Sequence, residues 1–123
     1  MVHTLSTQSF ELSAVTGWAA GDSRRLTFVV TQDGEPKDIG SDTLEWQLLE
    51  RPYHIRADAV LDDDSDGVTL SVLDASNGEF RVVVDAETTV GLWGRFSQRV
   101  VVDPPGETRQ SYRGDVVIED AGE

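Results

Sequence analysis

The sequence predicts an all-β, antiparallel sandwich of seven or eight strands, and three observations carry that prediction. Apolar and polar residues alternate in short runs. Gly, Pro and Asp turn signals separate the runs at the spacing of a sandwich, and no stretch of about ten residues has a helical period. The best-patterned stretch, Asn77 to Asp103, holds two alternating runs, Phe80/Val82/Val84 and Phe96/Val100/Val102, joined by Asp85 to Trp93. That joint is too short for a full helix and suits a turn crossing from one sheet to the other.

Each element follows from the same reading. Phe10, Leu12 and Ala14 alternate with Glu11 and Ser13, predicting an opening strand, with residues 1–8 before it frayed. Thr16 to Ser23, with two glycines, reads as a turn. Leu26/Phe28/Val30 against Arg25 and Thr27 predicts a half-buried strand from Arg24 to Thr31. Gln32 to Asp42 reads as loop, punctuated by Asp33-Gly34, Pro36 and Gly40-Ser41. Leu44/Trp46/Leu48 marks the next strand, ended by Pro52.

Tyr53 to Leu61 alternates poorly and reads as an edge strand or an irregular excursion, and Asp62 to Gly67 as an acidic turn. Val68/Leu70/Val72 gives a clean strand, and the turn Asp74 to Gly78 leads into the patterned stretch. Pro104-Pro105-Gly106 closes a hairpin, Tyr112 to Ile118 supplies the last strand, and residues 119–123 are expected to fray. Trp46 lies mid-strand, where immunoglobulin-like sandwiches bury a Trp against the facing sheet, so that type is predicted over a small barrel.

Composition bounds the setting. At 123 residues and 13.5 kDa the chain reads as one domain, residues 1–123, burying roughly two-thirds of its unfolded surface. With no cysteine, disulfides and thiolate metal sites are excluded. No run approaches the ~18 apolar residues of a membrane span, and MVHTLSTQSF lacks the regions of a signal peptide, so the expectation is a cytoplasmic protein without a membrane partner.

The charge is strongly negative: 23 acidic residues against 10 basic, a net of -13. A phosphate backbone would be repelled, which excludes nucleic acid as the expected partner. Fourteen of the acids are Asp, and Lys37 is the one lysine beside nine arginines. Short, strongly hydrated acids with almost no Lys stem to solvate suit molar salt, where the Debye length falls to about 3 Å and self-repulsion is screened. In this balance the chain resembles proteins of halophilic archaea; an acidic mesophilic protein is the alternative.

Five pieces carry a family likeness: GDSRRLTFVVTQDGEPKDI, LEWQLL, DGVTLSVLDASNGEFRVVVD, TTVGLWGRFSQRVVV and YRGDVVI. From about Phe10 to Ile118 their order resembles the immunoglobulin-like modules of tailed-virus and prophage structural proteins, such as the amino-terminal domain of baseplate upper proteins. Gly21-Asp22-Ser23, Gly78-Glu79-Phe80 and Leu92-Trp93-Gly94-Arg95-Phe96 occupy the turn positions of such modules. The resemblance implies a virion part that does no chemistry, as a tail, neck or baseplate-like component or a host protein that borrowed the module.

Candidate sites are few. Asp62, Asp64, Asp66 and Gly67 match the first half of a calcium loop, in which alternate carboxylates converge on a hard cation and Gly permits the bend. The second half departs from it, because Leu73 stands where a bidentate Glu belongs and a strand follows instead of a helix. The alternative is solvation of an Asp-rich turn, with no cofactor at all. His3, in a terminus expected to be flexible, and His54 are isolated.

Glu45 with Glu50, or Glu79 with Asp85, lack anything that would bring them to a glycosidase spacing of about 5 to 9 Å. No nucleophile elbow or phosphate loop is present, so no catalytic residue is assigned and the chain reads as a non-enzyme. Trp18, Trp93, Tyr53 and Tyr112 fall in turns or near strand ends, where they either close the core as lids or meet a partner. Outward Val29, Val83 and Val101 make their strands apolar on both faces, which predicts a covering subunit.

The first expectation is a structural protein that assembles with itself or with other virion or surface proteins. A binding module for carbohydrate or another small ligand is the second.

Overall fold

The computed structural model describes residues 2–6, 11–50, 59–106 and 108–120. Among them lie ten strands: β1 (Val2–Ser6), β2 (Val15–Ala19), β3 (Arg24–Gln32), β4 (Glu35–Pro36), β5 (Thr43–Glu50), β6 (Ala59–Asp62), β7 (Val68–Asp74), β8 (Glu79–Val84), β9 (Gly94–Asp103) and β10 (Gln110–Glu119). They form two sheets, ordered β1-β3-β8-β7 and β2-β10-β9-β5-β6, with β4 appended to β3. In immunoglobulin lettering these are the ABED and GFC sheets, with β6 beside β5 as in variable-type domains.

Strands β7 and β8 pair in the first sheet and β9 and β10 in the second, so Asp85–Trp93 crosses between sheets as its length requires. It does so through a single 3-10 turn, Ala86–Thr89. The inward rows of β3 and β8 (Leu26, Phe28, Phe80, Val82, Val84) face those of β5, β9 and β10 across one core. Phe28 and Phe80 are register partners, and their rings stack with centroids 5.1 Å apart. Trp46 is fully buried opposite Val100, as the alternation of its strand requires.

Three expectations need correction. The sandwich is not wholly antiparallel: β1 runs parallel to β3 and β2 parallel to β10. Neither pair is joined by a hairpin, so no tight turn imposes the antiparallel sense. Residues 1–8 are not simply a frayed end, since Val2–Ser6 is an edge strand with His3 and Leu5 buried. The His3 ring packs on Phe28 at 5.5 Å, and burial pushes its imidazole below the usual value.

The opening strand expected over Phe10 to Ala14 is also replaced. Glu11 makes only an isolated bridge to Arg113, and Phe10 lies outside the described residues. The strand there is β2, inside the segment read as a turn. Its pairing slips between Val116 and Ile118, where Val15–Trp18 spends one residue more than the partner. Gly17, at φ 71°, is the extra residue of this bulge. The slip turns both Val15 and Trp18 inward, which strict alternation forbids.

Elsewhere the punctuation holds. Asp33 and Gly34, both at positive φ, make the two-residue turn of the small β3–β4 hairpin within the predicted loop. The Asp74–Gly78 turn is built by its own polar side chains. Asn77 Nδ2 donates to Asp74 Oδ2 at 2.7 Å and Ser76 Oγ to Oδ1 at 2.9 Å, which holds the Asp74 carboxyl below its ordinary range. Of the weakly patterned Tyr53 to Leu61 stretch, residues 53–58 lie outside the described residues, and Ala59–Asp62 is an edge strand.

Candidate functional site

The corner between β8 and β9 is built from alternating anchors and exposed residues. Thr89 is fully buried, and its hydroxyl accepts from Gly21 N–H at 2.9 Å and lies 3.1 Å from both the Asp22 and Ala86 carbonyls. Trp18 Nε1 donates to the same Asp22 carbonyl at 3.1 Å. Leu92 packs on the core and its N–H reaches the Thr89 carbonyl at 2.9 Å. Held between and beyond these anchors, Val90 and Trp93 face solvent at 70% and 60% exposure. Thr89 escapes a pattern reading because its partners lie 67 and 68 residues away.

Replacing Thr89 with valine keeps the shape and removes every hydrogen bond of that tie. The expected cost is about 1–2 kcal/mol, since Gly21 N–H loses its partner while the Asp22 carbonyl keeps Trp18 Nε1. Urea unfolding should show it as a lower Cm at unchanged m. An unaltered Cm would mean that the corner does not depend on the hydroxyl.

Of the four aromatics expected at strand ends, the three that are described separate clearly. Trp93 is at the surface, whereas Trp18 and Tyr112 are 1% and 0% exposed and cannot serve as contact residues in this conformation. The bulge at Gly17 turns Trp18 under the corner. Tyr112 faces Val100 on the inward row of β10, and its hydroxyl donates to Gln110 Oε1 at 2.9 Å. Tyr53, like His54, lies outside the described residues. Val101, expected to need a covering subunit, is already buried within the chain, and Val29 and Val83 are half-buried.

The calcium-like turn is organised by its own hydrogen bonds. Asp62 Oδ1 accepts from Asp64 N–H at 2.9 Å and from Ser65 Oγ at 3.2 Å. Its neighbour Asp63 turns the other way and takes Trp46 N–H at 3.1 Å. No group of three or more His, Asp or Glu that could hold a metal ion occurs among the described residues. Calorimetric titration of Ca²⁺ into the protein in molar KCl should give no binding heat. A saturable heat lost in Asp64→Asn would restore the cation site.

The described residues include the linings of two shallow surface depressions, each of about 370 Å³. One is lined by Glu11, Leu12, Ser97, Arg113, Gly114 and Asp115 on the outer face of the second sheet. The other, beside the Asp62–Gly67 turn, is lined by Asp66, Gly67, Asp85, Glu87 and Thr88. Neither lining includes a histidine, cysteine or lysine to activate a hydroxyl.

Buried Gln98 is the polar residue that the inward row of β9 did not announce. Its Oε1 accepts from Trp46 Nε1 at 3.0 Å across the β5–β9 pair, while its Nε2 has no partner among the described residues. It serves the core, since it orients the buried Trp.

Among the described residues no helix is long and apolar enough to cross a membrane. No family model and no curated protein sequence matches the chain. Among solved structures, the N-terminal domain of ORF48 of phage TP901-1 is similar at 16% identity and a TM-score of 0.52, with 96% of each chain covered. The NK cell receptor Nkp44 is similar at 15% identity and a TM-score of 0.46, over 90% of this chain and 98% of that one. By its strand order the chain has an immunoglobulin-like β-sandwich fold, and that fold is similar over nearly its whole length to that of a phage protein domain.

Proposed function

We propose that this protein is a non-catalytic assembly component, of viral or proviral tail or baseplate-like type, that acts through protein–protein contacts at high salt. The observation that supports this reading is the likeness to a phage protein domain over 96% of both chains. It agrees with the motif order of the sequence. Val90 and Trp93 are the contact residues, displayed on a corner that Thr89 and Leu92 anchor, so that docking costs little ordering. Such a component resides in the cytoplasm during assembly and in the particle afterwards.

A pull-down of the tagged protein at ~3 M KCl, with mass spectrometry of the captured proteins, tests the proposal. Capsid or tail proteins should be recovered, and Trp93→Ala should reduce their yield by roughly tenfold or more, the cost of losing an interface aromatic. Recovery unaffected by Trp93→Ala would move the contact elsewhere, and an empty pull-down would remove the assembly role. The exposed Trp93 ring also favours one second reading, a platform for a sugar ring. Selective glycan-array binding abolished by Trp93→Ala would establish it instead.

A further inference from the structure

We infer that β7 is an open sheet edge on which a second copy of this chain adds its own β7, antiparallel, about a two-fold axis at Leu70. The four sheet edges are not equally protected. β6 has four residues and runs into the acidic turn, β1 has five, and β2 has five with a bulge at Gly17. Short strands, bulges and flanking charge are the usual means of closing an edge. β7 is the longest of the four at seven residues, keeps regular register with β8 from Val68 to Val72, shifts register only at its far end between Val72 and Asp74, and carries no charge, Pro or Gly before Asp74. Among the described residues β8 is the only strand that pairs with it.

Its side chains also lack cover. Val72 sits opposite Phe80 on the row that includes buried Val68, yet Val72 is 49% exposed, and Leu73 is 42% exposed. A strand added outside β7 would cover both.

The occupant follows from the sequence of the edge itself. With Leu70 on the axis, Leu70 meets its own copy, Val68 meets the second copy's Val72, and Thr69 meets its Ser71. An apolar row then faces an apolar row, and hydroxyls face hydroxyls, which are the favourable cross-strand combinations. Two chains of net charge -13 repel over most of their surfaces, and Val68–Leu73 is an uncharged run along the sheet edge on which they can approach. The same register brings Asp66 of each copy near Asp74 of the other, so the contact is opposed in dilute salt and released when salt screens it. A basic-flanked partner strand would show the reverse dependence.

This edge supplies self-association to the assembly role proposed above, and rests on that role for its biological purpose. Light scattering on a sizing column at ~0.2 and ~3 M KCl tests it. The expected species at high salt has twice the 13.5 kDa chain mass, and its dissociation constant tightens as KCl rises. Val72→Lys and, on the solvent face, Ser71→Lys should each weaken it at least tenfold. Ser71→Lys leaves the core side untouched, so misfolding of the other variant does not decide the result. Asp66→Asn should tighten the dimer about tenfold at low salt by removing two like-charge approaches.

A strict monomer at both salts overturns the inference. So does a dimer indifferent to both lysines, one that dissociates as salt rises, or a monomer whose β7 amides are protected from exchange only by an added partner peptide. Loss of partner capture in Trp93→Ala with the dimer intact would count against the Trp93 contact and leave the edge inference standing.

Discussion

Gly78→Ala is expected to remove at least about 3 kcal/mol of stability, seen as a fall in melting temperature of roughly 10–15 °C. Gly78 ends the Asp74–Gly78 turn at φ 71°, a conformation that costs a residue with a Cβ about 1–2 kcal/mol. The larger cost is contact. A Cβ there would lie 2.6 Å from the carbonyl oxygens of both Val30 and Lys37, and 3.3 Å from Val30 N. These are backbone atoms, and they are pinned. Val30 N–H donates to the Gly78 carbonyl at 2.9 Å, Lys37 N–H to the Val30 carbonyl at 2.9 Å, and Ile39 N–H to the Ala75 carbonyl at 2.9 Å.

The Lys37–Asp42 ion pair at 2.7 Å secures the same loop, and Ile39 beneath it is buried. Relief would require parting the β7–β8 turn from the β3–β5 connection. Gly34→Ala is the control: its φ is 83°, but a Cβ would meet nothing within 4 Å. That variant should lose about 1 kcal/mol. Equal losses at the two positions would show that conformation alone, and not the close approach, makes Gly78 necessary.

The second large effect is that of salt. Raising KCl from ~0.1 to ~3 M should raise the melting temperature by ~10 °C or more, because the Debye length falls from about 10 Å to below 3 Å. The chain carries -13, with 23 acids against 10 basic residues, so most acids have no cation to pair with even where pairs such as Lys37–Asp42 and Arg109–Glu45 form, the latter at 3.4 Å between exposed groups. Most acids are therefore uncompensated, and turns such as Asp62–Asp66 concentrate them. Folding brings these charges closer than the unfolded chain does, so screening favours the folded state. Scanning calorimetry at fixed pH along a KCl series reads the slope directly. A flat profile would remove molar salt from the proposed setting.

How much of this was legible depends on which physical signal each feature leaves in the chain. Strands β3, β5, β7, β8, β9 and β10 were visible because a half-buried strand writes its two faces into the sequence with period two. The Asp33-Gly34, Asp62–Gly67 and Asp74–Gly78 turns were visible because positive φ and side-chain-built turns demand particular residues. β2 was not visible, because the Gly17 bulge breaks the period and places Val15 and Trp18 on the same side. Nor was the exposure of Trp93 separable from the burial of Trp18, since both are tryptophans in turn-like surroundings.

What the sequence by itself determined was thus a two-faced, all-β chain, its main turns and a strongly negative net charge, because these are local or summed properties. The tertiary structure alone decided the parallel edges, the corner tied by Thr89, the acceptor that Gln98 offers Trp46, and the open edge at β7. Each of those depends on which distant segment arrives alongside, and closure of the two sheets settles that.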